Sequence, residues 1–430
     1  MTTRASEAKT GLAPTRTILD NGVVVVAKAS GRTPAVAINL AVRAGSICDP
    51  VGQPGAMHLL SRVIDRGTTT RSAAEIAETL EDRGVSLTTE VIRHVMSLAC
   101  TCLAEDFAIV LSLLADIIMA PSVPPAELST RKGEVITHIR QDADNPAVRA
   151  VEGLMTLLYG ADHPYGRPSK GTVESVEGVT RDQLVALHAD RFDPSGLAIV
   201  VVGDVDPSRA FDAAASAFGS WRAPAATPIP LAAARRSAER RQIVLPMMNK
   251  AQADIAYGFT TITRADPGYY TFWLMNVALG QYAMGGRLGE SIRERQGMAY
   301  YASSSFDPNV IAAPLVIRAG VSAANVDRAI QSIDDELLTL SREGITEKEL
   351  NESRQYMIGS LPRALETNVG IAAFLQTSEF FSLGLDYDLR LPGLLATVTG
   401  DHVRDMARRY LDPDRASIVV AGPYADESVV

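Results

Sequence analysis

The sequence repeats itself at the ends of its two halves, and this repeat limits the folds that the chain can adopt. The tetrapeptide RFDP at 191–194 precedes the apolar run AIVVVG, and RYLDP at 409–413 precedes SIVVAG. In each half the pattern predicts the end of a helix, an Asp-Pro turn and a buried strand. The segments before these motifs also match, since both run from a strand through one helix to the next. We therefore predict two related halves.

The predicted domains are residues 1–221 and residues 242–430. They are joined by a linker at 222–241 that is rich in Ala, Pro and Arg and has no apolar period. Strands cluster between helices, and many of them are separated by hairpin signals such as Asp20-Asn21-Gly22. The predicted fold class is therefore α+β, with two homologous domains that each have a mostly antiparallel sheet and helices packed on one side.

Local signals place several elements within these halves. Residues Ala35 to Val42 alternate between apolar and polar well enough to predict a half-buried strand. Ser72 with Glu75, and Thr346 with Glu349, have the spacing of capping boxes that open helices.

Composition excludes several classes of protein. The chain has 430 residues, 47% of them hydrophobic and 21% charged, which is typical of a well-packed globular protein. A net charge of −9 argues against partners such as nucleic acid or an anionic membrane. No apolar run of eighteen residues and no secretory leader is present, which favours the cytoplasm, or the periplasm if a signal peptide has been removed.

The three cysteines do not predict a disulfide framework, because their number is odd and small. Cys100 and Cys102 are two residues apart in a strand-like run, so both should face the same core.

The stretch GAMHLLSRVIDRGT at 55–68 has the outline of a zinc-peptidase helix without its chemistry. An H-x-x-E-H helix places two histidines on one face with a glutamate base between them. Here His58 is present, but Ser61 replaces the base and Arg62 replaces the second ligand. A guanidinium has no lone pair for a metal, and a serine hydroxyl is too weak a base to activate zinc-bound water.

This stretch, with RGTTTRSAAEIAETLEDRGVSL after it, resembles the pitrilysin, insulin-degrading enzyme and mitochondrial processing peptidase family of inverted zincins. The resemblance covers nearly the whole chain and implies the bacterial branch in which two such chains enclose a chamber. It also implies that the remaining zinc ligand, normally a glutamate, corresponds to His138, with Thr137 beside it. Of the four positions that hold zinc or the base, only His58 is therefore unchanged.

Two questions about these positions stay open from the sequence. His58 and His138, with His94 on an intervening strand, either form a non-standard metal site or hydrogen-bond locally. Arg62 either replaces the zinc with an ion pair, for which Glu134 is the candidate partner, or is an ordinary surface arginine.

The second half contains GGRLGESIRERQGMAY at 285–300, which is similar to the family's G-x-x-S-R-L…R-E-x-x-G-L-A-Y segment. The resemblance implies that Arg293 and Tyr300 bind the substrate backbone and face the zinc site of a partner subunit. A guanidinium and a phenol can both donate hydrogen bonds to a peptide carbonyl and to an oxyanion. Alternatively, Arg293 is one charge on a solvated helix face and Tyr300 begins a core strand.

The glycines of this segment (Gly280, Gly285, Gly286 and Gly289) lack the lysine of a phosphate-binding loop. They also fall short of the long glycine-rich loop of the non-catalytic subunit of the mitochondrial enzyme, so the bacterial heterodimer is the better match.

Three functions follow from these observations. The first is a non-catalytic subunit of a heterodimeric zinc metallopeptidase, with no metal in this chain and zinc in a homologous partner. Its substrate is a peptide or unfolded polypeptide. The second is a purely structural scaffold subunit, and the third is a peptidase with atypical ligands. The retained Arg293 and Tyr300 favour the first over the second, and the missing base favours it over the third.

Overall fold

The computed structural model describes residues 11–281 and 286–424. The elements of the first half are, in chain order, β1 (Thr15–Ile18), β2 (Val24–Ala29), β3 (Ala35–Val42), α1 (Ala56–Val63), α2 (Ala73–Glu81), β4 (Thr88–Val91), β5 (Met96–Leu103), α3 (Phe107–Met119), α4 (Pro125–Ala143), α5 (Pro146–Tyr159), α6 (Val173–Gly178), α7 (Arg181–Arg191), β6 (Leu197–Gly203) and α8 (Pro207–Phe218).

The second half repeats this plan with fewer strands. Its elements are β7 (Arg241–Pro246), β8 (Ala253–Thr260), α9 (Tyr269–Asn276), β9 (Ala299–Phe306), β10 (Pro314–Val321), α10 (Val326–Glu343), α11 (Glu347–Ala364), α12 (Asn368–Phe380), α13 (Tyr387–Ala396), α14 (Gly400–Tyr410) and β11 (Ser417–Gly422). Two π-helical turns, Val277–Gln281 and Gly289–Arg295, lie between α9 and β9.

The two sheets have the same topology, as the internal repeat predicts. The first has the order β1-β2-β6-β3-β5-β4, and the second has the order β7-β11-β8-β10-β9. The first sheet has β1 as an additional edge strand. In each sheet the strand after the Asp-Pro turn (β6 or β11) pairs in parallel with β2 or β7, whereas the other pairs are antiparallel. The predicted α+β class with two related domains is confirmed.

One helix from each half packs on the sheet built from the other half. The α12 residues Ile371, Ala372 and Leu375 share a buried cluster with strands β2, β3 and β6. In the same way, Ala150, Leu154 and Leu158 of α5 share a buried cluster with β8, β10 and β11. On the opposite face of the same strands, Val25 of β2 and Val201 of β6 are also fully buried. Both faces of these central strands are therefore covered.

Because of this exchange, the two compact units are not continuous in sequence. One contains the described part of Met1–Ile136 with Ser169–Ile229 and Ser360–Pro392. The other contains Thr137–Pro168, Pro230–Gly359 and the described part of Gly393–Val430. Within the first unit, the Arg16 guanidinium donates two hydrogen bonds of 2.9 Å to Glu379, which fixes α12 to the edge strand β1.

The local signals read from the sequence are present. Ser72 and Glu75 form a reciprocal capping box at the start of α2, and Thr346 and Glu349 form the same bonds before α11. Cys100 and Cys102 are both buried, as predicted, and burial raises the pKa of their thiols to about 12 and about 11. Among the helices of the described residues, none combines the length and the apolar character needed to cross a membrane.

Candidate functional site

The helix α1 holds His58, Ser61 and Arg62 on a rigid support. The carboxylate of Asp49 accepts hydrogen bonds of 2.7 Å from the backbone N–H groups of Gly55 and Met57, which satisfies donors at the helix start. Gly55 has a φ of +87°, and a Cβ there would lie 2.3 Å from the carbonyl oxygen of Lys170. Only glycine fits this position, so the start of the helix is fixed by close backbone packing.

The side chains at the predicted zinc positions are engaged in other interactions. The buried Ser61 hydroxyl donates a 2.6 Å hydrogen bond to the backbone oxygen of His58, one turn earlier. The Arg62 guanidinium Nη2 lies 3.6 Å from Oε2 of Glu134, with 39% and 37% of the two side chains exposed. The predicted contact between Arg62 and Glu134 is therefore present, and Arg62 is at the same time a surface arginine.

This ion pair belongs to a larger charged cluster on α1, the turn that follows it and α4. The members, called the ionic cluster below, are Arg62, Asp65, Arg66, Glu127, Arg131 and Glu134. Arg131 bridges Glu127, four residues before it, and Glu134, three residues after it, and Arg66 lies 3.2 Å from Asp65. Burial raises the pKa of Asp65, whereas the neighbouring guanidinium groups of Arg66, Arg62 and Arg131 oppose this shift. Three cations thus face three carboxylates.

The donor set of these positions does not fit a zinc ion. Zinc in proteins takes three or four ligands from Cys, His, Asp and Glu. Here the second ligand position is a guanidinium without a lone pair, and its charge would repel a cation. In residues 11–281 and 286–424, no group of three or more His, Cys, Asp or Glu side chains is arranged to hold a metal.

The two other histidines considered from the sequence lie in different settings. His138 is an exposed residue of α4. His94 was expected on a strand, but this is wrong, because it lies in the short turn between β4 and β5. It is buried against Phe380, with ring centroids 6.4 Å apart. Burial, and secondarily the charges of Arg93 and Arg43, lower its pKa to about 4, so it is neutral at pH 7.

In the second half, ion pairs and hydrogen bonds anchor the π-helical turn that carries Arg293. Arg287 donates to both carboxylate oxygens of Glu349 at 2.6 and 2.9 Å, and also to the Gly344 carbonyl oxygen. At the other end, the Gln296 amide donates a 3.0 Å hydrogen bond to the Ser332 hydroxyl. Gly285, the first residue of the predicted motif, lies outside the described residues.

The helical turn ends in a glycine, and Arg293 lies one turn before that end. Gly297 has a φ of +61°, and its N–H donates to the carbonyl oxygen of Arg293 at 3.0 Å. The Arg293 side chain is 39% exposed, and its Nε lies 3.6 Å from the Glu294 carboxylate. Three residues separate the end of this turn at Arg295 from the start of β9 at Ala299. The turn that carries Arg293 is therefore directly connected to the strand that carries Tyr300.

Tyr300 stands out from its strand because of a β-bulge. In the β9–β10 ladder, Tyr301 pairs with Gly320 and Ala299 pairs with Val321, which leaves Tyr300 as the extra residue. Its side chain is 84% exposed. Tyr300 begins its strand as the alternative expected, but the bulge turns it to solvent and not into a core. The other part of the alternative agrees with the structure, since Arg293 is one of several charges on a solvated helical turn, beside Glu294 and Arg295.

Comparisons with known proteins agree with this architecture. The model for insulinase (peptidase family M16) matches residues 24–169, and the model for the peptidase M16 inactive domain matches residues 178–357. A duplicated α+β chain with these matches is a metallopeptidase homologue. It belongs to peptidase family M16.

The similar proteins extend over almost the whole chain. An uncharacterized zinc protease of Streptomyces coelicolor is 25% identical over 421 residues, which is 96% of this chain and 90% of that protein. One from Mycobacterium tuberculosis is 26% identical over 420 residues, which is 97% of this chain and 94% of that protein. Among solved structures, a peptidase M16 inactive domain from Pseudomonas fluorescens has a TM-score of 0.89 at 24% identity, covering 96% of this chain and 99% of that chain. A protease from Helicobacter pylori also has a TM-score of 0.89, at 16% identity, covering 95% and 99%.

Two features of the site could not be identified in the sequence analysis. The ionic cluster has a sequence signal, since Glu127, Arg131 and Glu134 recur with helical spacing, but only the Glu134 pairing was predicted. The bulge at Tyr300 has only a weak signal, a glycine in the neighbouring strand. Its position depends on the pairing register, which links residues about twenty positions apart.

Proposed function

We propose that this chain is the non-catalytic subunit of a heterodimeric zinc metallopeptidase. In this proposal a homologous partner provides the zinc and the water-activating glutamate. This chain encloses the peptide together with the partner and donates hydrogen bonds to the substrate from Arg293 and Tyr300. The substrate class is an extended peptide or an unfolded polypeptide.

One contrast supports the proposal more than any other observation. The positions predicted to bind zinc contain Ser61 and Arg62, which are engaged in a local hydrogen bond and an ion pair. In contrast, the positions predicted to bind substrate retain Arg293 and Tyr300, and both side chains reach solvent. A chain that lost catalysis but still assisted a catalytic partner would keep the second pair and not the first.

The chemistry of Arg293 and Tyr300 suits this division. The guanidinium offers several N–H donors in a plane, and the phenol offers one O–H donor. Directed at a scissile peptide, they would bind the carbonyl oxygen and stabilise the negative charge that develops on it when water adds. Neither group needs to exchange a proton with the substrate, so a subunit without a base can perform this task.

The first experiment asks what the chain does by itself. The purified protein should contain no stoichiometric zinc by atomic emission spectroscopy, and it should not cleave a quenched fluorescent peptide library. One zinc per chain together with hydrolysis would instead support the atypical peptidase.

The second experiment adds a partner, a chain of similar size with a complete H-x-x-E-H motif that co-purifies with this one. Activity of the mixture should exceed that of the partner alone, and Arg293→Ala or Tyr300→Phe should lower turnover by about ten- to a thousandfold. Arg295→Ala is a matched control, because Arg295 lies on the same turn, is 61% exposed and pairs with Glu336. If both site variants act like this control, the scaffold function is the better description.

A further inference from the structure

Three residues form a straight row across the second sheet, next to the bulge. In the antiparallel ladders, Gly320 of β10 pairs with Tyr301 of β9 on one side and with Asp254 of β8 on the other. The Tyr301 hydroxyl donates a hydrogen bond to the Asp254 carboxylate, so its side chain passes over Gly320 to reach the far strand. We call these residues the tyrosine–glycine–aspartate row.

Each member of the row depends on the other two. A Cβ at Gly320 would lie 2.7 Å from the Tyr301 ring, so a larger residue would displace the ring. Asp254 is only 2% exposed, and the Gln252 amide donates to its second oxygen at 3.3 Å. A buried carboxylate without its donors would be costly, so this hydrogen bond strongly favours one register of β9. Burial, with the bond to Asp254, raises the pKa of Tyr301 to about 12.

The register of β9 decides where Tyr300 points. Further along the strand, Ala302 and Ser304 are buried on one face. In a regular strand every second residue faces the same side, so Tyr300, two residues before Ala302, would face that same buried side. The bulge changes this by adding one unpaired residue, and Tyr300 is instead 84% exposed. If the bulge were lost, Tyr300 would turn inward. If it moved by one residue, Tyr300 would take the place of Tyr301 in the row.

We infer that the tyrosine–glycine–aspartate row positions Tyr300 for substrate by holding the bulge in place. Tyr301, Gly320 and Asp254 are thus positioning residues, which act through Tyr300. This role rests on the proposed function for the contact of Tyr300 with the peptide. The control of Tyr300 exposure by the row does not rest on the proposed function, and it can be tested on this chain alone.

The first test measures the exposure of Tyr300 without a partner. 3-Fluorotyrosine is placed at position 300, and its ¹⁹F signal is followed while a soluble gadolinium chelate is added. In the otherwise unchanged protein the signal should broaden strongly, as expected for an exposed ring. In Tyr301→Phe and in Gly320→Ala a shifted signal that the chelate broadens several-fold less should appear.

The chain offers a matched control for the lost hydrogen bond. Tyr257 is buried on the same sheet, and its hydroxyl donates a 2.7 Å bond to the carboxylate of Asp334. Tyr257→Phe removes a bond of the same kind without touching β9, so it should leave the signal at position 300 exposed. If Tyr301→Phe and Gly320→Ala both remain folded by circular dichroism and keep an exposed signal, the inference is wrong.

The second test uses the partner and a double-mutant cycle. Tyr301→Phe should lower the partner-dependent turnover about ten- to a hundredfold, although Tyr300 is still present. Tyr300→Phe with Tyr301→Phe should be no worse than the more damaging single variant, because one residue acts through the other. Losses that multiply would overturn the positioning role. If Tyr300→Phe alone has no effect, the proposed function fails, whereas the fluorine experiment still decides whether the row controls exposure.

Discussion

The same segment of the repeat has opposite characters in the two halves. In the first half, the regular helix α1 lies between β3 and the edge strand β4, which pairs with β5 without interruption. In the second half, the helix α9 is followed by two π-helical turns before the edge strand β9, which carries a bulge. The first segment directs its charged side chains into the ionic cluster. The second uses irregular backbone to expose Tyr300.

This difference agrees with the proposed division of the site, in which only the second half binds substrate. Irregular backbone such as π-turns and bulges costs stability and is frequent at functional sites. A segment without a binding role needs only a regular helix and ion pairs to be stable. Where irregular backbone persists beside exposed polar side chains, a binding role is the simplest explanation. Four predictions test this comparison, in order of decreasing expected effect.

The largest effect is expected on turnover, when a substitution in the second segment is compared with one in the first. With the partner present, Arg293→Ala should lower turnover up to about a thousandfold, close to 4 kcal/mol in the activation free energy. Arg62→Ala, at the predicted zinc position of the first half, should leave turnover within about twofold. Steady-state rates with one peptide substrate give both values. Equal losses at the two positions would remove the distinction between the halves.

The second prediction concerns pH and the buried His94 of the first half. Its pKa in the folded chain is about 4, whereas the unfolded chain has the ordinary value near 6.5. As the pH falls below 6.5, the unfolded chain therefore takes up a proton that the folded chain resists. The stabilising contribution is complete above pH 6.5 and is lost as the pH falls towards 4.

Urea unfolding measures this loss. Relative to His94→Gln, the unchanged protein should lose about 2.5 kcal/mol of unfolding free energy between pH 7.5 and pH 4.5. The variant is its own control, since every other titrating group is shared. Parallel stability profiles for the two proteins would show that His94 takes up a proton in the folded state as readily as in the unfolded chain.

Some of this architecture could be predicted from the sequence because the signals are local. Alternation gave the bounds of Ala35–Val42, and three-residue spacing identified the capping boxes at Ser72 and Thr346. The helix exchange could not be predicted in this way. The apolar face of α5 shows that the helix is buried, but the choice between two related sheets depends on fit, such as the close packing of Gly153 on Val419.

The candidate site also has one feature that the sequence could predict and one that it could not. The partner of Arg62 could be proposed, because the resemblance places Arg62 at the old zinc pocket, where Glu134 was the candidate for an ion pair. Tyr300 was open to a core interpretation because alternation assumes an unbroken ladder. Only the pairing of Tyr301 with Gly320 and of Ala299 with Val321 shows the bulge, and those pairs join residues that are distant in sequence.

The third prediction compares the ion pairs that anchor the two segments. Arg287 makes two hydrogen bonds to Glu349 and is 13% exposed, so its removal leaves a partly buried carboxylate without its main partner. Arg287→Ala should lower the free energy of unfolding by about 2 kcal/mol. Chemical denaturation at pH 7 measures this. Arg287→Lys should recover only part of the loss, because an ammonium cannot make the two-pronged contact.

The smallest effect is expected for the ion pair at the predicted zinc position. Arg62 and Glu134 are each more than one third exposed, and a single contact of 3.6 Å joins them. Exposed pairs of this kind contribute about 0.2–1 kcal/mol. Arg62→Ala should therefore lower the melting temperature of this 430-residue chain by about 2 °C at most, which differential scanning calorimetry resolves.

A double-mutant cycle shows whether that effect belongs to the pair. Arg62→Ala and Glu134→Gln should together cost less than the sum of the two single variants, by the coupling free energy of the contact. The effect should shrink in 1 M salt, because screening acts on solvent-exposed charges. An unchanged melting temperature for Arg62→Ala would mean that the ion pair between Arg62 and Glu134 does not stabilise the fold. The regular first segment would then owe its stability to the apolar face of α1 alone, where Leu59 and Leu60 are fully buried.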